Sequence, residues 1–102
     1  MSAELKIEQQ ELDKAAFILK SIAHPSRLAM IKILSENGLM AVSEISEALN
    51  LEQSLTSHHL NSMKNKGVLE SKRDGKSIKY NLKLTEVTQV LHCIEHCDLT
   101  RF

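Results

Sequence analysis

Within seven residues, Gln53, Ser54, Thr56, Ser57, His58 and His59 gather an amide, three hydroxyls and two imidazoles. Such groups both donate and accept hydrogen bonds, and at the start of a helix they are placed to meet base edges in a DNA major groove. Lys64 and Lys66 follow in the last turns of the same segment, where ammonium groups suit phosphates. A second group, Lys72, Arg73, Lys76 and Lys79, surrounds Asp74-Gly75; a slim basic hairpin can track a phosphate backbone or enter a minor groove. A third group is His92, Cys93, His96 and Cys97, two pairs each four residues apart, so that each pair shares a helix face. Catalysis is not expected. No nucleophile has an evident base, and Gly38, Gly67 and Gly75 are too far apart for a phosphate-cradling loop.

The formal net charge is zero, yet the charge is not spread evenly. Residues 1–52 hold five Lys/Arg against eight Asp/Glu, residues 53–83 hold seven against two, and residues 84–102 hold one against three. The basic third contains the first two groups. A polyanion responds to such a local patch and not to the chain total. Plainer readings stand beside this one: Ser and Thr at a helix start serve as caps, and hairpin lysines protect an edge strand.

The elements that must hold these groups follow from periodicity. Leu12, Ala15, Ala16, Leu19 and Ile22 recur at helical spacing, predicting a helix over 8–22. His24-Pro25-Ser26 breaks it and Pro25 starts the next, which carries Leu28, Ile31 and Leu34 to about Glu36 and stops at Asn37-Gly38. A short helix over 43–49 is capped by Ser43 and faces Ile45, Ala48 and Leu49 inward. Asn50-Leu51 turns the chain into a helix over 53–66 with Leu55, Leu60 and Met63 apolar. Strands over 68–73 and 77–82 flank Asp74-Gly75, and Thr85 caps a last helix to Asp98 with Val87, Val90, Leu91 and Ile94 as its stripe. Residues 1–7 read as a ragged end. The 102 residues fit one mainly α domain, 1–102, with a small β-hairpin: five helices, a helix-turn-helix over 43–66 and a two-stranded wing over 68–82. No apolar run approaches the roughly 20 residues of a membrane span. Met1-Ser2-Ala3-Glu4-Leu5-Lys6 lacks a leader's basic start and apolar middle, which predicts a cytoplasmic protein with no membrane partner.

Ala23-His24-Pro25-Ser26-Arg27-Leu28 resembles the second-helix signature of ArsR-type (ArsR/SmtB) winged-helix repressors. Leu55-Thr56-Ser57-His58-His59-Leu60, followed by Gly67-Val68-Leu69 and a basic hairpin, resembles that family's recognition helix and wing. The resemblance covers about residues 10–97. It implies a homodimeric transcriptional repressor that holds double-stranded operator DNA when free and releases it on meeting an inducer, often a metal ion. It also implies dimer contacts through the first and last helices, here 8–22 and 85–98, whose apolar stripes lack other partners. Two recognition helices would then stand about 34–36 Å apart on an inverted repeat. A winged helix that docks proteins without reading DNA is the alternative, and the clustered basic charge argues against it.

The family's inducer sites match only in part. Ala41 and Ser43 stand where its arsenic and cadmium sensors carry two Cys. His92-Cys93-Ile94-Glu95 matches the second half of the zinc-sensor motif, while Asn81 and Lys79 stand at the first half, and the second helix has no Cys for a thiol pair. For His92, Cys93, His96 and Cys97 three readings stay open: small packing and surface residues, ligands for a transition metal (Zn, Ni or Cu), or thiols that oxidise across a dimer axis.

Overall fold

A computed structural model describes residues 7–98 and residue 100. The expectation for the N-terminal end falls, apart from Ile7, outside these residues. Helix α1 (Gln9–Ile22) leads through Ala23 and His24 into α2 (Pro25–Asn37). Pro25 opens α2 as the sequence predicts, and the His24 side chain caps it, its Nδ1 accepting from the Ser26 N–H at 3.1 Å. Gly38 closes α2 at φ 74°, its N–H donating to the Leu34 carbonyl.

The positive φ at Gly38 turns the chain into β1 (Met40–Ala41), which adds a third strand to the two expected. β1 pairs antiparallel with β3 (Ser77–Leu82), and β3 pairs with β2 (Leu69–Asp74), in the order β1-β3-β2. The hairpin turn is Gly75-Lys76, one residue later than expected, since Asp74 still pairs with Ser77. Gly75 takes φ 62°, which a two-residue hairpin turn requires.

Between β1 and β2 lie α3 (Val42–Leu49) and α4 (Gln53–Asn65). The expected Ser43 cap is absent. Ala41 occupies the cap position, and the Glu44 carboxylate accepts from its N–H at 2.9 Å. Asn50 makes the turn in left-handed geometry (φ 53°, ψ 50°), its N–H donating to Glu47 O and that of Leu51 to Ser46 O. Ala48, expected inside, is exposed. The last helix, α5 (Val87–Glu95), is shorter than expected at both ends. The carbonyl of Thr85, and not its hydroxyl, receives the Thr88 N–H, and the Cys97 N–H turns back to Ile94 O, tightening the end.

One cluster forms the core: Met30, Ile31 and Leu34 of α2, Ile45 of α3, Leu60 and Met63 of α4, and Val68, Leu69 and Tyr80 of the sheet are among its buried members. α1 contributes little. Its buried residues are Ser21 and Ile22, while Phe17 and Leu19 are about half exposed. An apolar groove of about 330 Å³ runs between α1 and α5, lined by Ile18, Leu19, Ile22, Leu84, Val87 and Val90 with Lys14 and Glu86 at its rim. No helix among the described residues is long and apolar enough to cross a membrane.

Candidate nucleic-acid interface

α4 has a packed face and an open face, and the expected reading residues divide between them. Gln53, Ser54 and His58 are exposed and Ser57 is half-buried. Thr56 and His59 are not available to DNA: they are 0 % and 5 % exposed. Helical spacing explains the division, since 56, 59, 60 and 63 fall on the stripe that meets the core. The Thr56 hydroxyl donates back to Glu52 O at 2.9 Å, so a polar residue is buried at no loss of hydrogen bonding. Leu55, apolar like Leu60 and Met63, is 44 % exposed and joins the open face. Asn61, one turn beyond His58, joins it too; its neutral amide lay outside the basic and N-terminal pattern that marks candidates in sequence.

His59 is held by a residue far away in the chain. Arg27 of α2 donates from Nε to His59 Nδ1 at 2.9 Å and from Nη1 to the Ser21 carbonyl at the end of α1 at 2.8 Å. The His24 ring lies beside it, tilted by 48° with centroids 4.6 Å apart. Burial, and then the charges of Arg27, His24 and His58, push the His59 imidazole below its ordinary pKa. The ring accepts at Nδ1 and faces the body of the subunit, so it serves the packing of α4 against α2 and not the open face. Ser54 donates to the Glu52 carboxylate at 2.6 Å, steadying the first turn of α4.

The wing cations also divide. Strand alternation and register put Arg73 and Ile78 on the face of buried Tyr80, which turns toward α4. Lys72 and Lys79 lie directly opposite one another on the other face. Lys79 pairs with Asp74 at 3.2 Å, which relieves that like-charge contact. Lys76 stands in the turn and Lys64 on the last turn of α4, both exposed; Lys66 donates to the Ser62 hydroxyl at 3.0 Å. Tyr80 joins wing to helix, its hydroxyl donating to Asn61 Oδ1 at 2.7 Å. Burial holds the phenol above its ordinary pKa, so the proton stays on it.

At the far end, Cys93 and Cys97 are exposed free thiols, and the His92 and His96 rings lie 4.3 Å apart. Because α5 ends at Glu95, His96 and Cys97 stand past the helix, and the four residues do not share two helical turns as expected. Glu95 is taken by Lys32 of α2 at 2.6 Å, an ion pair that draws the Lys32 pKa up and the Glu95 pKa down. Among the described residues no group of three or more His, Cys, Asp or Glu could hold a metal ion. The metal reading of His92, Cys93, His96 and Cys97 thus has no three-ligand group among the described residues of one subunit.

A helix-turn-helix followed by a basic hairpin is shared by many proteins, and comparison with known ones decides among them. The family model described as bacterial regulatory protein, arsR family, matches residues 24–71, from the α2 cap into β2. The transcriptional repressor PagR of Bacillus anthracis is 36% identical over 86 residues, spanning 84% of this chain and 86% of its own. The chain belongs to the arsR family of bacterial regulatory proteins. The HTH-type transcriptional regulator NmtR of Mycobacterium tuberculosis is 38% identical over 85 residues, 83% of this chain and 70% of that one. Likeness extends to three dimensions. The crystal structure of PagR superposes with a TM-score of 0.77 at 33% identity, covering 85% of this chain and 99% of that chain. HlyU from Vibrio cholerae gives 0.78 at 29% identity, covering 89% and 100%. An arsR-family chain is a transcriptional regulator, and α3, α4 and the β2–β3 wing are its helix-turn-helix and wing.

Proposed function

We propose that this regulator is a homodimeric repressor that sets two copies of α4 into successive major-groove turns of an inverted-repeat operator. Residues 1–102 act as one DNA-binding unit, by binding and not by catalysis. The observation that carries this reading is the open face of α4, where Gln53, Ser54, Ser57 and His58 stand clear of the core. Arg73 and Lys76 of the wing, with Lys64, supply the phosphate contacts around them. Lys72 and Lys79 reach the backbone from the hairpin's outer face. The apolar groove between α1 and α5 accepts the second subunit. Electrophoretic mobility shift on the DNA upstream of the protein's own gene tests the reading. Retardation that is lost when Ser57 and His58 are both replaced by Ala supports it, and unchanged retardation places the reading surface elsewhere.

A second reading concerns the signal. Cys93 and Cys97 are exposed and unpaired, whereas the neighbouring His residues lack the further ligands that a metal needs within one subunit. These thiols favour an oxidant as inducer. Titration of the DNA complex with hydrogen peroxide and, separately, with Zn, Ni and Cu(I) separates the two. Release by peroxide from the parent, but not from the Cys93→Ser/Cys97→Ser variant, supports the thiol reading. Release by a metal that the same variant still shows refutes it.

A further inference from the structure

Tyr80 is a core residue of β3 whose ring is 4 % exposed, yet its hydroxyl bonds to an exposed side chain on the open face of α4. A buried phenol needs a hydrogen-bond partner. Here the partner is Asn61, and the bond has a direction: the hydroxyl donates and Asn61 Oδ1 accepts at 2.7 Å. With its carbonyl engaged, Asn61 offers its two Nδ2 hydrogens outward. The amide is thus held in one rotational state, with its donor end presented. Asn61 lies three residues after His58 and seven after Ser54, so all three share one face of α4. Asn is a weak helix former and adds nothing to the core from this position. Its carbonyl serves Tyr80, and its remaining donors face outward.

We infer that Asn61 is a specificity-determining residue that donates to an acceptor on a purine edge in the major groove, with Tyr80 as its positioning residue. N7 of either purine, and O6 of guanine, are the acceptors such a donor meets. This rests on α4 being the DNA-reading helix. It adds a contact from the wing side of that helix, where neither the cluster at residues 53–59 nor the lysines would have placed one.

The test begins with duplexes selected from a random library by the parent dimer. Failure to enrich any sequence would sink the DNA-reading assignment itself, separately from this inference. On the selected duplex, Asn61→Ala is expected to bind about tenfold more weakly, with unchanged affinity for an unrelated duplex; its melting temperature falls because the buried Tyr80 hydroxyl loses its partner, and Tyr80→Phe in the same background restores it. Asn61→Asp, which replaces the donors by acceptors, loses more. Tyr80→Phe, which keeps the ring, loses several-fold in the parent and nothing further in the Asn61→Ala background. Substituting 7-deazapurine, which lacks N7, or 2-aminopurine for guanine, which lacks O6, at one position of each half-site weakens the parent but not Asn61→Ala. Three results overturn the inference: full affinity in Asn61→Ala, equal losses on selected and unrelated duplexes (a phosphate contact), or a Tyr80→Phe loss that persists in Asn61→Ala.

Discussion

Arg27 ties three helices together with one side chain, reaching from α2 to the Ser21 carbonyl of α1 and to His59 of α4. The imidazole it holds must be neutral, because its Nδ1 accepts that bond and its Nε2 is buried without a partner among the described residues. Since burial and the facing Arg27, His24 and His58 depress its pKa, the unfolded chain binds a proton at higher pH than the folded one. The stability due to neutral His59 is complete above the ordinary His value of about 6.5 and is lost as pH falls from there toward the folded value. Denaturant midpoints should drop on acidification through that window, and His59→Gln should flatten the drop; a parent midpoint that is constant across the window would contradict this. Thr56 and His58, two positions apart, make the complementary test. Thr56→Val keeps the buried shape but loses the bond to Glu52 O, so it should cost about 1 kcal/mol in unfolding free energy and leave the operator affinity of the folded protein intact. His58→Ala should do the reverse.

At the scale of elements, the wing is a hairpin whose two faces carry different charge. Arg73 and Lys76 have no acidic partner among the described residues, whereas Lys79 is neutralised by Asp74. Counterion release follows net phosphate contacts, at about 0.9 in logarithmic salt slope for each. Arg73→Ala and Lys76→Ala should each flatten the salt dependence of binding by that amount, measured by fluorescence anisotropy over a salt series. Lys79→Ala should flatten it less, and equal slopes for all three variants would remove this distinction. The same elements show what sequence can reveal. Pro25, Gly38, Asn50 and Gly75 punctuate the chain by backbone geometry that few other residues tolerate, so helix order, the helix-turn-helix and the hairpin were legible. β1 was not, because two residues cannot display an alternation. Nor was the inner face of α4. Thr56 and His59 are polar types that become core residues through bonds to Glu52 O and to Arg27, and the second of those partners is 32 positions away. In the candidate site, the outward half of the 53–59 cluster was therefore readable, and the Tyr80–Asn61 link between wing and helix was not.

At the scale of the whole molecule, the first and last helices line one apolar surface. α1 buries little more than its last turn, and Phe17 and Leu19 remain 52 % and 50 % exposed. Beside them Val87 and Val90 of α5 line the same apolar groove, and Ile94 is 38 % exposed farther along α5. Contiguous apolar surface of this kind marks an interface, and a second copy of α1 and α5 offers the same composition in return, as a two-fold contact requires. In the proposed reading, one α4 would cover a single half-site, and two joined rigidly would bind the second at high effective concentration, so that affinity for the pair would far exceed that for either alone. Leu19 is the residue on which to test this, because it lines the groove and is half exposed. A carboxylate there would be desolvated against apolar neighbours with no partner, at a cost that association does not offset. Leu19→Glu should therefore sediment as a monomer at concentrations where the parent is dimeric. It should keep the parent's far-ultraviolet circular dichroism and lose operator binding far more than binding to an isolated half-site. A variant that remains dimeric would move the interface off the α1–α5 groove. A monomer that still binds the full operator as tightly as the parent would show that the two copies of α4 read independently.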